Sequence, residues 1–478
     1  MKPSMDDGSW IRDEMISADF GDLRLNKRFS SLARELAGKP SLSINEASTD
    51  WASAKAAYRF FDNPKVTSDR VLSPHFLSTE LRCEQHETII AVQDTSVIDF
   101  SKHIRTEGLG LTGVNDIAGF EARGLHLHAT LALTEAGLPL GLLDYQMWAR
   151  ERNPTTSHEL ARMPIEKKES FRWIKSLRQV AERTPKSKVI MVSDRESDIY
   201  DLFEEALDQG VDFVVRLKHD RIVIDEAHDY LRVSEILAVT DVVGETTVEI
   251  PQNGSRVARS VDLDIRYCSI NLSAYGRGPK TSQIRHRNDL EGLYVVDLWE
   301  RNPLNPKEPV HWRLYTTLQV RSKADALKVV DIYRKRWMVE NYFKALKTGC
   351  NVEKCRLQEA EKLECYIALL AVVAWRILWM THLNRHMPNE SAEKMLTTPE
   401  WKALWLQRHR RYIKEGKMKP IPPDQPPTVY EAVRWIAMQG GFLGRKGDKE
   451  PGLITIWRGW LRLQTAVEMF DLMDVRRN

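Results

Sequence analysis

The sequence predicts an α/β protein: a central mixed sheet with helices on its faces, flanked by all-helical regions at both ends of the chain. Three observations predict it. Apolar residues recur at helical spacing through residues 8 to 85 and again beyond about residue 388. Between them, strand-like runs alternate with amphipathic helices, and one of the strand-like runs is the apolar segment Lys188 to Asp194. A chain of 478 residues is also long enough for roughly two to four domains.

Composition and charge place the chain among soluble globular proteins but leave its partner open. Hydrophobic residues make up 42% and charged residues 29% of the chain, and the formal net charge is only +3. The five cysteines lack paired spacing, which argues against a disulfide framework or zinc ribbon and favours a reducing compartment. No secretory signal is predicted, and the longest apolar run, Cys365 to Trp375, is too short for a membrane span. We therefore expect a cytoplasmic protein without a membrane partner.

Two amphipathic stretches, Leu23 to Leu36 and Trp51 to Phe61, dominate the helical N-terminal region. The first carries Arg24, Lys27 and Arg28 beside apolar residues, which gives it a basic face. Such a face suits the phosphate backbone of DNA, but a solvated helix surface shows the same pattern. The sequence by itself leaves both interpretations open.

A run of alternating strands and helices follows, and the first three strands form a predicted meander. The predicted elements are, in order, strands at Ile89–Val92, Leu125–Leu133 and Leu138–Trp148, a helix at about Glu169–Glu182, a strand at Lys188–Asp194, and a further helix and strand that end near Arg216. This order is expected of an RNase H-like α/β domain, in which helices cover both faces of a mixed sheet.

Residues 220 to 320 interrupt this domain with a predicted β subdomain. A long helix then begins at a cap provided by Ser322 and ends near Gly349. We place the domain boundaries at residues 1–68, 69–385 and 386–478. The predicted strands of the insertion are Thr246–Pro251, Val261–Leu272, Leu293–Trp299 and Val310–Val320.

Three acidic residues are the candidate chemistry of this sheet. Asp94 follows the first predicted strand, Asp194 ends the central apolar strand, and Glu340 lies on the long helix. Three crowded carboxylates repel one another unless a cation neutralises them, and oxygen ligands select Mg²⁺ or Mn²⁺ without separating the two. Two such ions about 4 Å apart support phosphoryl transfer. Cutting and joining of a nucleic acid then need only one site.

Each acid alone also has a simpler interpretation, because Asp at a strand end often caps a helix and Glu on a helix is usually solvated. Capping is the better interpretation for Asp198, which precedes a helix containing Leu202 and Phe203. We therefore leave Asp198 out of the predicted metal ligands.

The long helix carries the more specific pattern. Tyr333, Arg336, Glu340 and Lys347 fall at positions i, i+3, i+7 and i+14. At ~100° per residue these four positions occupy an arc of about 60° on one face. An acid flanked by a phenol and cations suits a helix that holds a metal ion centrally and grips phosphates on either side. An exposed, salt-bridged helix face is the alternative.

The spacing Tyr-x2-Arg-x3-Glu-x6-Lys resembles the Y-R-E-K signature of bacterial insertion-sequence transposases, cut-and-paste enzymes of the DDE superfamily with an RNase H-like core. The segment Asp194-Arg-Glu-Ser-Asp198 is similar to the family's Asp-Arg-Glu-Ala-Asp, with Ser197 in place of Ala. Val92-Gln-Asp94-Thr is similar to the strand that carries the family's first aspartate. The resemblance covers nearly the whole chain, including the β insertion.

This resemblance implies a DNA transposase that cleaves the ends of its element, through a hairpin intermediate, and joins the 3′ ends to target DNA. It implies that Asp94, Asp194 and Glu340 bind two divalent metal ions, Mg²⁺ or Mn²⁺, and that Trp312 is an aromatic platform for a flipped base. Sheet packing is the alternative role of Trp312. The other residues expected to contact DNA are Tyr333, Arg336, Lys347, Lys344 and Arg216, with Arg24 and Arg28 in a helical domain that binds the DNA ends.

The C-terminal region is predicted to be helical, with apolar residues at helix spacing that include Ile456, Trp460 and Leu463. Within a monomer this pattern is ordinary core. By the resemblance, the region pairs two protomers, so we expect a homodimer in the complex with transposon-end DNA.

Two other functions remain open on the sequence. Another RNase H-like nuclease, such as a junction resolvase, cuts without joining; the stripe on the long helix and the extra helical domains argue against it. A catalytically silent DNA-binding inhibitor derived from a transposase is the second, and the intact set of acids argues against that.

Overall fold

A computed structural model describes residues 10–115, 120–151, 159, 163–225, 227–250, 258–275, 288–303, 305 and 309–474. Within these residues, helices cover a large mixed sheet, and both ends of the chain are helical. The predicted α/β class is therefore confirmed.

The N-terminal region is helical because its helices are capped and share one apolar core. A Ser, Thr or Asp side chain accepts a backbone N–H at the start of four of the five helices. The rings of Phe20, Phe29 and Phe60 pack with centroids 5.1, 5.3 and 5.8 Å apart. The helices are α1 (Trp10–Glu14), α2 (Leu23–Gly38), α3 (Ile44–Ala47), α4 (Trp51–Phe61) and α5 (Ser68–Cys83).

Twelve described strands form a single sheet. They are β1 (Thr88–Asp99), β2 (Gly110–Asn115), β3 (Phe120–Thr134), β4 (Pro139–Trp148), β5 (Lys188–Ser193), β6 (Asp212–Arg216), β7 (Ile222–Ile224), β8 (Tyr230–Arg232), β9 (Gly244–Ile250), β10 (Arg259–Leu272), β11 (Leu290–Glu300) and β12 (His311–Thr316). Their order is β2-β3-β1-β5-β6-β12-β11-β10-β7-β8, with β4 also paired to β3 and β9 to β10.

The part of the sheet that positions the acids follows the predicted alternation. β5 lies between β1 and β6 and is parallel to both, while β3 is antiparallel to β1. Helices α6 (Phe171–Arg183) and α7 (Tyr200–Asp208) precede and follow β5. The sequence missed β2, because Gly110 and Gly113 interrupt the alternation of apolar and polar residues that marks a strand.

The predicted β insertion is present but is continuous with the core sheet. β12 pairs antiparallel with β6, and this pairing connects the inserted strands to the core. The four predicted strands correspond to β9 through β12. The sequence missed the short strands β7 and β8 and the helix α8 (Val233–Val239), which are too brief to show a period.

The predicted long helix is interrupted. Ser322 caps its first turn by accepting the Asp325 N–H, as predicted, but the helix divides at Lys335 and Arg336 and becomes π-helical over Ala345–Gly349. The helices from here to the C-terminus are α9 (Lys323–Arg334), α10 (Trp337–Lys344), α11 (Ala360–His386), α12 (Thr398–Lys414), α13 (Val429–Gln439) and α14 (Leu453–Asp474).

Helix α11 is long and apolar enough to cross a membrane by length and composition. In the most apolar 18-residue window of this helix, 83% of the residues are buried inside the protein. It packs against α5, β4 and α14, so its apolar surface is buried in the core.

Candidate active site

Two of the predicted acids lie at the same edge of the sheet. The parallel strands β1 and β5 pair Val92 with Val192. Asp94 and Asp194 each follow this pair by two residues, so the register brings them side by side. The prediction that Asp94 follows its strand is wrong, because β1 continues beyond it and Asp94 itself pairs with Ala129 of β3.

Each of these aspartates has one carboxylate oxygen held by a backbone N–H. Thr95 N–H donates to Asp94 Oδ1 at 2.7 Å. Glu196 N–H donates to Asp194 Oδ1 at 2.9 Å, which makes Asp194 the cap of a short 3-10 turn. The backbone therefore restricts the orientation of both side chains.

Asp198 does not cap the helix that follows it, so the capping interpretation is wrong. Its Oδ2 accepts the N–H groups of Lys218 and His219 at 2.7 and 2.8 Å, and its Oδ1 accepts Arg221 Nε at 2.7 Å. The first residue before α7 is Ile199, which has no side-chain cap. Asp198 is thus a brace for the loop after β6, and its oxygens are already used.

Glu340 is linked to one of the two aspartates, Asp94, through an arginine. Arg336 Nη1 donates to Asp94 Oδ2 at 3.2 Å, and Arg336 Nη2 donates to Glu340 Oε1 at 2.5 Å. Arg336 is only 9% exposed. Its Nε has no hydrogen-bond partner among the described residues. The guanidinium therefore lies between two of the three predicted metal ligands.

The acids need more positive charge than this arginine supplies. Burial and the charge of Asp194 raise the pKa of Asp94 from 3.8 to about 7, against the opposing effects of Arg336 and of the Thr95 N–H. In the described part of the chain, no group of three or more His, Cys, Asp or Glu side chains is arranged to hold a metal ion. The donor set still fits one, because carboxylate oxygens suit a hard divalent cation and its charge would relieve the repulsion.

Tyr333 and Trp312 lie together beside this cluster and are both buried. Tyr333 packs edge-on against Trp312 with ring centroids 5.5 Å apart, and the two residues are 4% and 9% exposed. Burial raises the pKa of Tyr333, and the positive charges of Arg336 and Arg216 oppose that rise. Arg216 also donates from Nη2 to the His311 carbonyl at 2.8 Å. In this structure Trp312 therefore has the sheet-packing role.

The predicted stripe on one regular helix is only partly present. The turn at Lys335 and Arg336 and the π-helical segment change the rotation per residue, so the 100° spacing does not hold as far as Lys347. Lys347 is partly buried, which lowers its pKa, and the charges of Glu353 and Asp99 oppose this shift. Lys344, in contrast, is exposed.

The two basic residues predicted on the N-terminal domain lie on α2. The Arg24 side chain is 93% exposed and its Nε lies 3.6 Å from Asp22, while Arg28 is partly buried. The observed basic face is compatible with either interpretation given to it above.

Sequence reasoning missed a residue behind the aspartates, Arg172 on α6. Its Nε donates to Thr95 Oγ1 at 2.9 Å and its Nη2 to Glu196 Oε2 at 2.8 Å. Thr95 directly follows Asp94 in the chain, and Glu196 lies in the turn after β5. An arginine in the first turn of an amphipathic helix has no distinctive sequence pattern, so only the fold reveals it.

A search of solved structures matches the chain to the cryo-EM structure of a piggyBac transposase synaptic complex with hairpin DNA. It is 11% identical, with 89% of this chain and 80% of that chain covered, at a TM-score of 0.34.

Family models match most of the chain in three consecutive segments. Residues 7–66 match a transposase DNA-binding domain, residues 169–376 a transposase DDE domain, and residues 372–472 the transposase Tn5 dimerisation domain. The DDE match includes Asp194 and Glu340 and begins after Asp94. It is consistent with an RNase H-like core and carries the general dependence of DDE enzymes on divalent metal ions. With a DNA-binding domain, a DDE domain and a dimerisation domain in this order, the chain belongs to the DDE transposases related to that of Tn5.

Proposed function

We propose that this transposase cleaves DNA at the ends of its own element and joins the 3′ ends to target DNA, with Asp94, Asp194 and Glu340 as the catalytic acids. One observation carries the proposal. Three carboxylates that are far apart in sequence lie close together in space: Asp94 of β1 and Glu340 of α10 share the buried Arg336 guanidinium, and Asp194, after β5, lies beside Asp94 and raises its pKa. Such a cluster is costly without a cation and suits phosphoryl transfer with one.

Two divalent ions, Mg²⁺ or Mn²⁺, held by these three acids would supply an activated hydroxyl and stabilise the leaving oxygen. The chain itself holds the DNA strand. Arg336 has the forked geometry that binds phosphate, and Tyr333 and Arg216 lie beside it. We propose that Lys344 and Lys347 extend this grip, and that Trp312 stacks a base flipped out of a hairpin intermediate once its face is uncovered.

The domain boundaries are part of the proposal. We assign residues 1–68 to end binding, with Arg24 and Arg28 at the DNA backbone, residues 69–385 to catalysis, and residues 386–478 to dimerisation. The DNA-binding and dimerisation matches support this division. We infer a homodimer that pairs two ends, acts on target DNA, and resides in the cytoplasm with the nucleoid when bound to DNA.

Incubation of the purified protein with Mg²⁺ and DNA that flanks its own gene tests the proposal. We expect cut, hairpinned and joined products on a denaturing gel, all absent with Glu340→Gln and with chelator. Asp331→Asn is the matched control, because it removes an exposed carboxylate on the preceding helix that pairs with Lys335. Products that persist in Glu340→Gln, or that are cut but never joined, would contradict the proposal.

One observation favours a second function, that of a catalytically silent DNA-binding inhibitor. Arg336 occupies the space between Asp94 and Glu340, and an arginine that never leaves would block metal binding. That protein would shift the end DNA in a gel, with and without Glu340→Gln, and would leave it uncut in both cases.

A further inference from the structure

Arg172 lies behind the two catalytic aspartates, on the other face of the sheet from Arg336. Successive side chains of a strand point to opposite faces. Asp94 contacts Arg336 of the long helical segment, whereas its neighbour Thr95 contacts Arg172 of α6. Arg172 therefore does not touch the reacting atoms, and any effect it has on them passes through its neighbours.

The contacts of Arg172 form two matching routes to the aspartates. On one route, Arg172 Nε binds the Thr95 hydroxyl, and the Thr95 N–H holds Asp94 Oδ1. On the other, Arg172 Nη2 binds the Glu196 carboxylate, and the Glu196 N–H holds Asp194 Oδ1. One guanidinium thus fixes the side chains of both residues whose backbone donors orient the acids.

The surroundings hold this guanidinium in place. Its Nη1 donates to the Glu169 carbonyl at 3.1 Å, so each of its three nitrogens has a partner. The charge also lies 5.9 and 5.2 Å from the ring centroids of Trp148 and Trp173. The side chain is only 12% exposed. The planar guanidinium of an arginine can donate to all three partners at once, whereas the ammonium group of a lysine cannot.

The route through Thr95 continues into the sheet. Thr95 Oγ1 lies 2.9 Å from His128 Nδ1, and His128 Nε2 lies 3.2 Å from Gln93 Oε1. Because Gln93 and Thr95 flank Asp94, the strand is held on both sides of the acid. His128 is fully buried, and burial lowers its pKa, so it acts here as a neutral hydrogen-bonding group.

We propose that Arg172 is a positioning residue that sets the separation and orientation of Asp94 and Asp194, and thereby their affinity for a divalent cation. The inference rests on the proposed function, because it takes these two aspartates as metal ligands. Groups that orient metal ligands from behind typically change metal affinity by about 10–100-fold when removed.

The test is Mn²⁺ binding to the full-length protein without DNA, followed by electron paramagnetic resonance of the free ion. We expect Arg172→Gln to weaken Mn²⁺ binding about tenfold or more. Arg178→Gln is the matched control, because Arg178 lies on the same helix and forms a two-bonded pair with Glu205 away from the acids. It should bind Mn²⁺ as the unmodified protein does.

A milder pair of variants covers the case in which Arg172→Gln fails to fold. Thr95→Ser keeps the hydroxyl that Arg172 binds, and Thr95→Val keeps the shape but removes the hydroxyl. We expect Ser to preserve Mn²⁺ affinity and Val to lower it. Equal affinity in the two variants, or unchanged affinity in a folded Arg172→Gln, overturns the inference.

Asp194→Asn separates this inference from the proposed function. If Asp194→Asn abolishes Mn²⁺ binding while Arg172→Gln leaves it intact, only the role of Arg172 is wrong. If Asp194→Asn also leaves binding intact, the metal site itself is wrong and both proposals fail.

Discussion

At the scale of single residues, Arg336 supplies the positive charge that compensates two of the three acids. Its two nitrogens bind Asp94 and Glu340, and its third has no described partner. Removing the cation from a buried ion pair strongly destabilises the folded protein, because it leaves the carboxylate charge uncompensated. The arginine therefore compensates part of the charge of these two acids, and a divalent cation bound by the same carboxylates would compete with it.

Replacement of Arg336 tests this compensation. We expect Arg336→Gln to lower the free energy of unfolding in chelator by about 1–3 kcal/mol, since Asp94 and Glu340 lose their shared donor. Mn²⁺ should then raise the melting temperature more in this variant than in the unmodified protein, because binding to the folded state stabilises it. Calorimetry with and without Mn²⁺ measures both effects.

Arg334→Gln serves as the control, because Arg334 is exposed on the same helical segment. An Arg336→Gln protein that melts like this control in chelator, with no added response to Mn²⁺, would show that the arginine does not compensate the acids.

The sequence selects the three proposed acids but not the residues that orient them. Asp94 and Glu340 lie in recognisable local sequence patterns, so the amino-acid sequence alone is enough to select them. Asp198 was misassigned as a cap because its donors, Lys218 and His219, come from a distant loop. Arg172 was missed for the same reason, since its partners meet it only when strand and helix pack.

At the scale of elements, helix α1 is tied to α5 and β4 by a buried polar network. Leu142 N–H donates to His75 Nε2, so His75 Nδ1 carries the proton and donates to Glu14. Arg82 donates to both oxygens of Glu14. Burial of Glu14 raises its pKa, but these hydrogen bonds and the charge of Arg82 outweigh burial and lower it from 4.5 to about 2.

The lowered pKa of Glu14 predicts an acid-sensitive contact. An acid with a depressed pKa contributes stability that is present above 4.5 and is lost as the pH falls toward 2. We expect Glu14→Gln to cost roughly 2–3 kcal/mol at pH 7 and far less at pH 3. Chemical denaturation at the two pH values measures this.

Glu390→Gln is the comparison, because it breaks an exposed pair with Lys394. Exposed pairs contribute about 0–1 kcal/mol. A cost for Glu14→Gln that does not shrink between pH 7 and pH 3 would argue against the charged network.

Helices α13 and α14 approach through glycine. A Cβ built on Gly459 would lie 1.7 Å from the Ile436 carbonyl oxygen, whereas one on Gly452 meets nothing within 4 Å. Gly459→Ala should therefore destabilise the protein by about 1–3 kcal/mol, although alanine is the better helix former. Gly452→Ala should be close to neutral. Thermal melts that rank the two variants in the opposite order would contradict this packing.

At the scale of the whole molecule, the C-terminal region packs into the core of the single chain and contacts its N-terminal region. Ile456, Trp460 and Leu463 are buried, and Trp460 Nε1 donates to the Ala37 carbonyl of the N-terminal region at 3.4 Å. The apolar spacing seen in the sequence therefore belongs to the core of the single chain. A dimer must use the exposed side of this region, where Met469 is 59% exposed.

Met469→Asp tests that surface without removing the core. We expect it to weaken the complex that pairs two DNA ends by roughly fivefold or more, equivalent to about 1 kcal/mol, while single-end binding is kept. Gel shifts with end fragments of two lengths distinguish the complexes. Val239→Asp, at a valine 84% exposed in the β insertion, is the control, and equal pairing by the two variants would place the dimer contact elsewhere.

The overall fold is more predictable from the sequence than the pairing of the inserted strands with the core sheet. The class, both helical regions and the four main inserted strands follow from periodicity, which is local. The place of β12 beside β6 does not, because strand neighbours distant in sequence are chosen by packing. The break at Arg336 was also hidden, since the residues around it fit a regular helix equally well.

That pairing has a consequence for how such proteins diverge. β12 is hydrogen-bonded to β6 from Thr316↔Val214 to Leu314↔Arg216, so the returning strand belongs as much to the host sheet as to the insertion. A recombination point between β11 and β12 would take β6 from one parent and β12, its hydrogen-bonded neighbour, from the other. A chimaera between relatives should therefore take the whole segment from β6 to β12 from one parent. Recombination between related genes should likewise exchange this segment as one unit.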